Sequence, residues 1–305
     1  MSATTLQIIG SIFLALIPAF IWGFIFYRKS PQRKSLTVIT FIAGALAVFP
    51  ILIYKFLWQF FPWINAFRFA EAYKQDFIGL SNLIILPLSA IITFMIVGVI
   101  EELMKYVSVK IVDNNDNNEF DDIDDSIEFF IIAALGFSFV ENILYFYSIW
   151  FSQGADHLLM PFLFRSSFST LAHLIFSGIL GYYYGIAHFA TPILQEEIRE
   201  NRSHWTKWLP KLLSIRKERL FYEQHIFEGL LISIGLHAIF NIFLEMNLTF
   251  MIVPFLVGGY MSLNYLFKKK ENHKKYGKLL QKERNTPKAG KSDELSLQFL
   301  HGKNL

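Results

Sequence analysis

Two adjacent carboxylates, Glu101 and Glu102, fall inside the apolar stretch VGVIEELMKYVSVK (97–110), and Lys105 follows them on the same helical face. An ionisable group at bilayer depth costs at least about 2.5–3.5 kcal/mol on insertion scales, so such a set reads as functional. Three later apolar segments carry groups of the same kind: Glu141 with Asn142, Arg165 with His173, and His237 with Asn241. Glutamate beside histidine is a water-activating combination, in which a carboxylate takes the proton of water while a neighbour orients it. His237 and Asn241, at i and i+4, offer two donors to an oxyanion. Alternatively His173, His237 and a glutamate, Glu101 foremost, bind zinc and leave a position open for water. No HExxH stands behind the metal reading, and the sequence leaves both routes open.

The elements that must position these groups are membrane helices. The chain has 305 residues, 53% of them hydrophobic and 33 of them Phe, and a mean hydropathy of +0.39. A soluble domain does not collect several apolar runs of about 20 residues, and the short alternating segments of a membrane β-barrel are absent. The expected fold is all-α, a polytopic transmembrane helical bundle of about seven spans. They cover about 6–27, 36–60, 83–112, 127–151, 161–190, 226–244 and 250–267, giving a membrane domain over 1–267 and a basic, mobile tail over 268–305. Without cysteine, thiolate metal sites and a Cys nucleophile are excluded. No signal peptide is seen, so the first segment counts as a span.

Basic clusters follow segments one, five and seven, on one side of the membrane. The positive-inside rule makes that side cytoplasmic, which puts the N-terminus outside and the C-terminus inside. The acidic run 113–125 reads as a solvated loop, and the basic run 195–223 as a surface touching anionic lipid. At about 1.5 Å per residue, Glu141, His173 and His237 each lie roughly 17–20 Å from the start of their segments, and Glu101 about 27 Å. The four clusters therefore meet in one layer, enclosed within the bundle. Gly136 and the small residues Ser177, Gly178, Gly181 and Gly185 allow close helix packing.

Plainer roles stand beside these. Glu101 and Glu102 would be interfacial if segment three ended early, and Glu141 would be a structural hydrogen-bonding group. Arg165 is either a snorkelling anchor or a site residue. Asn142 reads as structural, and His157, His188, His204, His225, His273 and His301 as ordinary. Buried Glu, His and Lys also build proton relays, so the alternative to a hydrolase is an ion- or proton-coupled transporter. No inverted repeat supports the latter.

Four ordered motifs carry a family resemblance: EELMK (101–105), GFSFVENILY (136–145), RSSFSTLAHLIFSGILGY (165–182) and HAIFN (237–241). Over roughly residues 80–265 the chain resembles the PrsW family of intramembrane proteases, related to the CAAX-protease and Abi group. The resemblance implies a catalytic core over that range. It also implies an endopeptidase that cuts a membrane-anchored protein, of the anti-sigma-factor kind, in stress-response signalling. Glu101 would then activate water, supported by Glu102 and Lys105. Glu141 would complete the site, His237 and Asn241 would bind the oxyanion, and His173 is the further histidine of the pattern. The FxxxH position of the wider group falls on Glu141, which departs from a simple Glu–His dyad. The implied partners are a membrane-anchored protein and the lipid bilayer, with no nucleic acid. The implied home is a bacterial plasma (inner) membrane, and zinc is the one cofactor in question.

Overall fold

A computed structural model describes residues 2–29, 34–81, 84–113, 123–188 and 217–285. The chain begins with α1 (Ala3–Lys29), α2 (Lys34–Leu46) and α3 (Val48–Phe60), then a short α4 (Phe67–Glu71). A two-stranded antiparallel hairpin, β1 (Phe77–Ser81) and β2 (Ile84–Pro87), leads into α5 (Leu88–Asp113). The long α6 (Ile123–Gln153) is followed by α7 (Leu159–Phe164), a π turn (Arg165–Ser169) and α8 (Thr170–His188). Two more helices, α9 (Lys217–Glu245) and α10 (Thr249–Asn285), complete the described chain.

Among the described residues, six segments are long and apolar enough to cross a membrane: α1, α2 with α3, α6, the run from 155 through α8, α9 and the first part of α10. The 26-residue α5 has the length, but Glu101, Glu102 and Lys105 interrupt its apolar stretch. A count of seven spans includes it. The organising helix is α6, whose apolar window is 67% buried against 17–39% for the others. It packs against α1, α2 and α8; α8 in turn holds α9 and α10, and α5 lies against α9 and α2. The core between them is Ile, Leu, Phe and Tyr from α6, α8 and α9.

The contact of α2 with α6 is made backbone to backbone. A Cβ on Gly44 would stand 2.0 Å from the Ala133 carbonyl oxygen, and one on Gly136 would stand 2.0 Å from the Phe41 carbonyl oxygen. Small residues thus do in this crossing what they do between membrane helices generally. Gly136→Ala is expected to cost about 1–3 kcal/mol through overpacking. Unfolding in detergent checks it, and wild-type stability would show that the crossing has room to give.

Helices lie over the expected segments, six of which are long and apolar enough to span, and they differ at their edges; residues 217–223, expected in the basic loop, open α9. The segment over 36–60 is divided at Ala47, because Pro50 has no N–H for the carbonyl of Leu46, four residues earlier. The segment expected from 83 starts as strand β2, and α5 begins only after Pro87, since a residue preceding proline is pushed out of the helical region. The fifth segment is divided by the π turn and ends its described part at His188. Residues 123–125, expected in the acidic loop, open α6. Of the other expected loops and tail, residues 114–122, 189–216 and 286–305 lie outside the described residues, while 268–285 continue α10.

Candidate active site

Glu101, Glu102 and Lys105 occupy one turn of α5. At Gly98, one turn earlier, α9 packs close: a Cβ there would meet the Ile234 carbonyl oxygen at 3.0 Å and the His237 Cβ at 3.7 Å. This approach brings His237 onto the two carboxylates. Lys105 is three residues from Glu102 and four from Glu101, and the helix could pair it with either. It pairs with Glu102, Nζ to Oε1 at 2.7 Å, with both side chains fully buried.

Glu102 is saturated. Its Oε1 accepts from Lys105 and from His237 Nδ1 at 2.8 Å, and its Oε2 accepts from the Ser233 hydroxyl at 2.8 Å. Because the carboxylate accepts, His237 Nδ1 carries the proton and its Nε2 keeps a free lone pair. That Nε2 lies 3.6 Å from Glu101 Oε2. Glu101 Oε2 is itself buried without a hydrogen-bond partner. Two acceptor atoms therefore face each other across a gap, where a proton or a cation would be held.

Lys105 also reaches across to α8, with Nζ 2.9 Å from His173 Nδ1 and 4.7 Å over the Phe137 ring. An ammonium only donates, so His173 Nδ1 accepts and its Nε2–H donates to Glu141 Oε2 at 2.9 Å. The His173 and His237 rings meet edge to face with centroids 5.2 Å apart. Glu101, His173 and His237 each bring a ligand-capable atom within 4.8 Å of the others.

Arg165 is turned onto Glu141. Its Nη2 lies 2.9 Å from Glu141 Oε2, an ion pair without hydrogen-bond alignment, and its Nε donates to Asn142 Oδ1 at 2.6 Å. Asn142 reaches Thr170 Oγ1 at 3.3 Å, and that hydroxyl donates to the Arg165 carbonyl at 3.0 Å. The π turn between Arg165 and Ser169 is thus closed by side chains, a place where such turns often mark a working site. Asn142 thereby ties Arg165 to α6 beside Glu141.

Of the seven residues singled out in sequence, six join one network over α5, α6, α8 and α9. Asn241 lies one turn beyond His237, half-buried, with no hydrogen-bond partner among the described residues. Among the described histidines, His157, His188 and His225 stay outside the cluster. Sequence reading missed Ser233, which carries no local signal. It also missed Lys55, a charge within an apolar span that could have been noticed on the same grounds as Lys105.

A family model described as PrsW family intramembrane metalloprotease matches residues 32–264, most of the chain. The chain belongs to the PrsW family. All four polar clusters lie inside the matched range. Among curated proteins, Protease PrsW of Geobacillus kaustophilus (strain HTA426) is 26% identical over 168 residues, which are 54% of this chain. The matched region spans about three-fifths (61%) of that relative's own length. No solved structure matches. As a PrsW-family member with six apolar membrane-length helices, the chain is a multi-pass membrane protein, and its relative is bacterial, in line with a plasma-membrane location.

Proposed function

We propose that this PrsW-family chain is an intramembrane endopeptidase that hydrolyses a peptide bond of a membrane-anchored protein at Glu101, His173 and His237. The observation that carries this reading is the buried, unpartnered Oε2 of Glu101 facing the free Nε2 of His237 at 3.6 Å. The donor set fits a divalent ion. Two histidines and one glutamate make a common catalytic zinc set with a position left for water. The neighbours fit too: Glu102 fixes His237 through its Nδ1–H, as carboxylates behind metal-bound histidines do. Glu101, His173 and His237 would hold the ion, His173 through the Nδ1 lone pair once Lys105 no longer donates to it, with its Nε2–H kept on Glu141. Zinc, when bound, supplies a water whose pKa is lowered to about 7.

The rest of the chemistry belongs to the protein's own side chains. Glu102, locked by Lys105 and Ser233, keeps His237 in one tautomer and one orientation. Glu141 sets the orientation of His173 and is itself held by Arg165. Glu101 lies at the reacting centre, where its oxygen takes up a proton or a cation. Asn241 has a free amide one turn from His237, available to donate to the oxyanion formed when water adds to the scissile carbonyl. The anti-sigma-factor class of substrate and the orientation with a cytoplasmic C-terminus belong to this proposal. So does the division into a membrane domain and a basic tail.

One specific observation favours a metal-free version. Both ring nitrogens of His173 are already engaged, by Lys105 and Glu141. Elemental analysis of the purified protein separates the two. With zinc as cofactor, the wild type retains stoichiometric metal and His237→Ala loses it. Cleavage of single-span membrane proteins then stops on chelation and returns with zinc. Chelator-resistant cleavage by metal-free protein would leave Glu101 as the base that activates water. Uptake driven by a pH gradient into vesicles, with no cleavage, would instead revive the transporter reading.

A further inference from the structure

Glu101 has a second neighbourhood, shared with α3. It borders an open cavity of about 420 Å³ between α3 and α5, with Ile51, Tyr54, Lys55, Trp58 and Ile100. A second cavity of about 620 Å³ shares Ile51, Tyr54 and Ile100 and continues along α5 past Met95 to Phe69. Together they form one apolar trough along α3 and α5, from Ile91 to Met104, with Glu101 on its lining. Each volume falls in the range of about 300–1,000 Å³ usual for ligand sites.

Among the described residues, Lys55 is the one charged residue besides Glu101 that lines the trough. It is exposed and has no ion-pair partner among the described residues. A cation in apolar surroundings is costly and is usually met by an opposite charge. The trough is therefore apolar along its length, catalytic at one point and cationic near the C-terminal end of α3. A lipid chain resting there would shield Glu101 from any peptide bond, whereas a peptide resting there would present one to it.

We propose that the trough between α3 and α5 seats the substrate's membrane-spanning segment beside Glu101, with apolar side chains against Ile51 and Ile100 and an acidic residue on Lys55. This rests on the proposed hydrolytic function and adds a substrate class to it: single-span proteins with a carboxylate at the membrane edge nearest the end of α3.

Binding, measured apart from hydrolysis, tests it. Two fluorescent single-span peptides share a Leu/Ala core; one carries Glu at both ends and the other Lys at both ends. They are titrated against Glu101→Gln protein in nanodiscs of zwitterionic lipid. The Glu-ended peptide is expected to bind about fivefold tighter, the scale of a partly exposed ion pair. The preference should reverse in a Lys55→Glu background, and Ile51→Trp should weaken both peptides by filling the trough. Equal affinities, absence of binding, or a preference that survives Lys55→Glu would overturn the proposal. So would displacement of both peptides by anionic lipid, which would assign the trough to lipid. If the peptides bind as expected but wild-type enzyme leaves them uncut, the docking site stands and the hydrolytic reading falls.

Discussion

Glu101→Gln is expected to lower kcat for peptide-bond cleavage by about 10²–10⁴-fold, the range contributed by a positioned acid–base group. The variant should fold as well as the wild type. Glutamine is nearly isosteric with glutamate, and Glu101 Oε2 accepts no hydrogen bond that the substitution would break. Nor does Glu101 pair with Lys105, which is committed to Glu102. The loss should therefore appear in turnover and not in the unfolding profile. Cleavage of a single-span substrate, beside a thermal melt in the same detergent, measures both. A Glu101→Gln enzyme that cuts at the wild-type rate would remove Glu101 from the centre.

The opposite signature is expected at the neighbouring position and its partner. Lys105→Met leaves the fully buried Glu102 without its ammonium and His173 Nδ1 without its donor. Removing one member of a buried ion pair costs about 3–5 kcal/mol, because the remaining charge keeps its desolvation penalty. That is a large share of the roughly 5–15 kcal/mol that holds a typical domain together. The double variant Glu102→Gln with Lys105→Met should recover much of the stability, since no lone charge is left inside. It should not recover activity, because His237 loses the carboxylate that fixes its proton on Nδ1. Denaturant titration of the two single variants and the double variant gives the coupling energy directly. A Lys105→Met protein as stable as wild type would show that the pair contributes specificity alone.

These contrasting expectations mark where the sequence was legible and where it was not. Hydropathy revealed the helices, because apolar runs of membrane length have few other solutions. It did not reveal β2, because Ile84–Pro87 is apolar like the helix that follows, and a short apolar run has no period of its own. The polar clusters stood out because charge is rare at such depth. Their pairing did not, because it is a matter of which helices touch. Helical spacing allowed Lys105 to face either glutamate, and only the approach of α9 through Gly98 makes Glu102 the saturated one. Glu141 was expected near Glu101, yet its direct partners are His173 and Arg165, at sequence separations that no local pattern encodes.

The π turn at Arg165–Ser169 sets the phase between the two ends of its span. A π turn amounts to one extra residue in an otherwise regular helix, and each residue turns an α-helix by about 100°. Were the same residues wound as a regular α-helix, the eight steps from Arg165 to His173 would turn about 800°, roughly 80° past two full turns, and Arg165 would leave the face it shares with His173. The span would still cross the bilayer, yet the guanidinium would point away from Glu141. The third motif is thus phased by an insertion, and its reading frame along the helix matters as much as the identities of the residues in it.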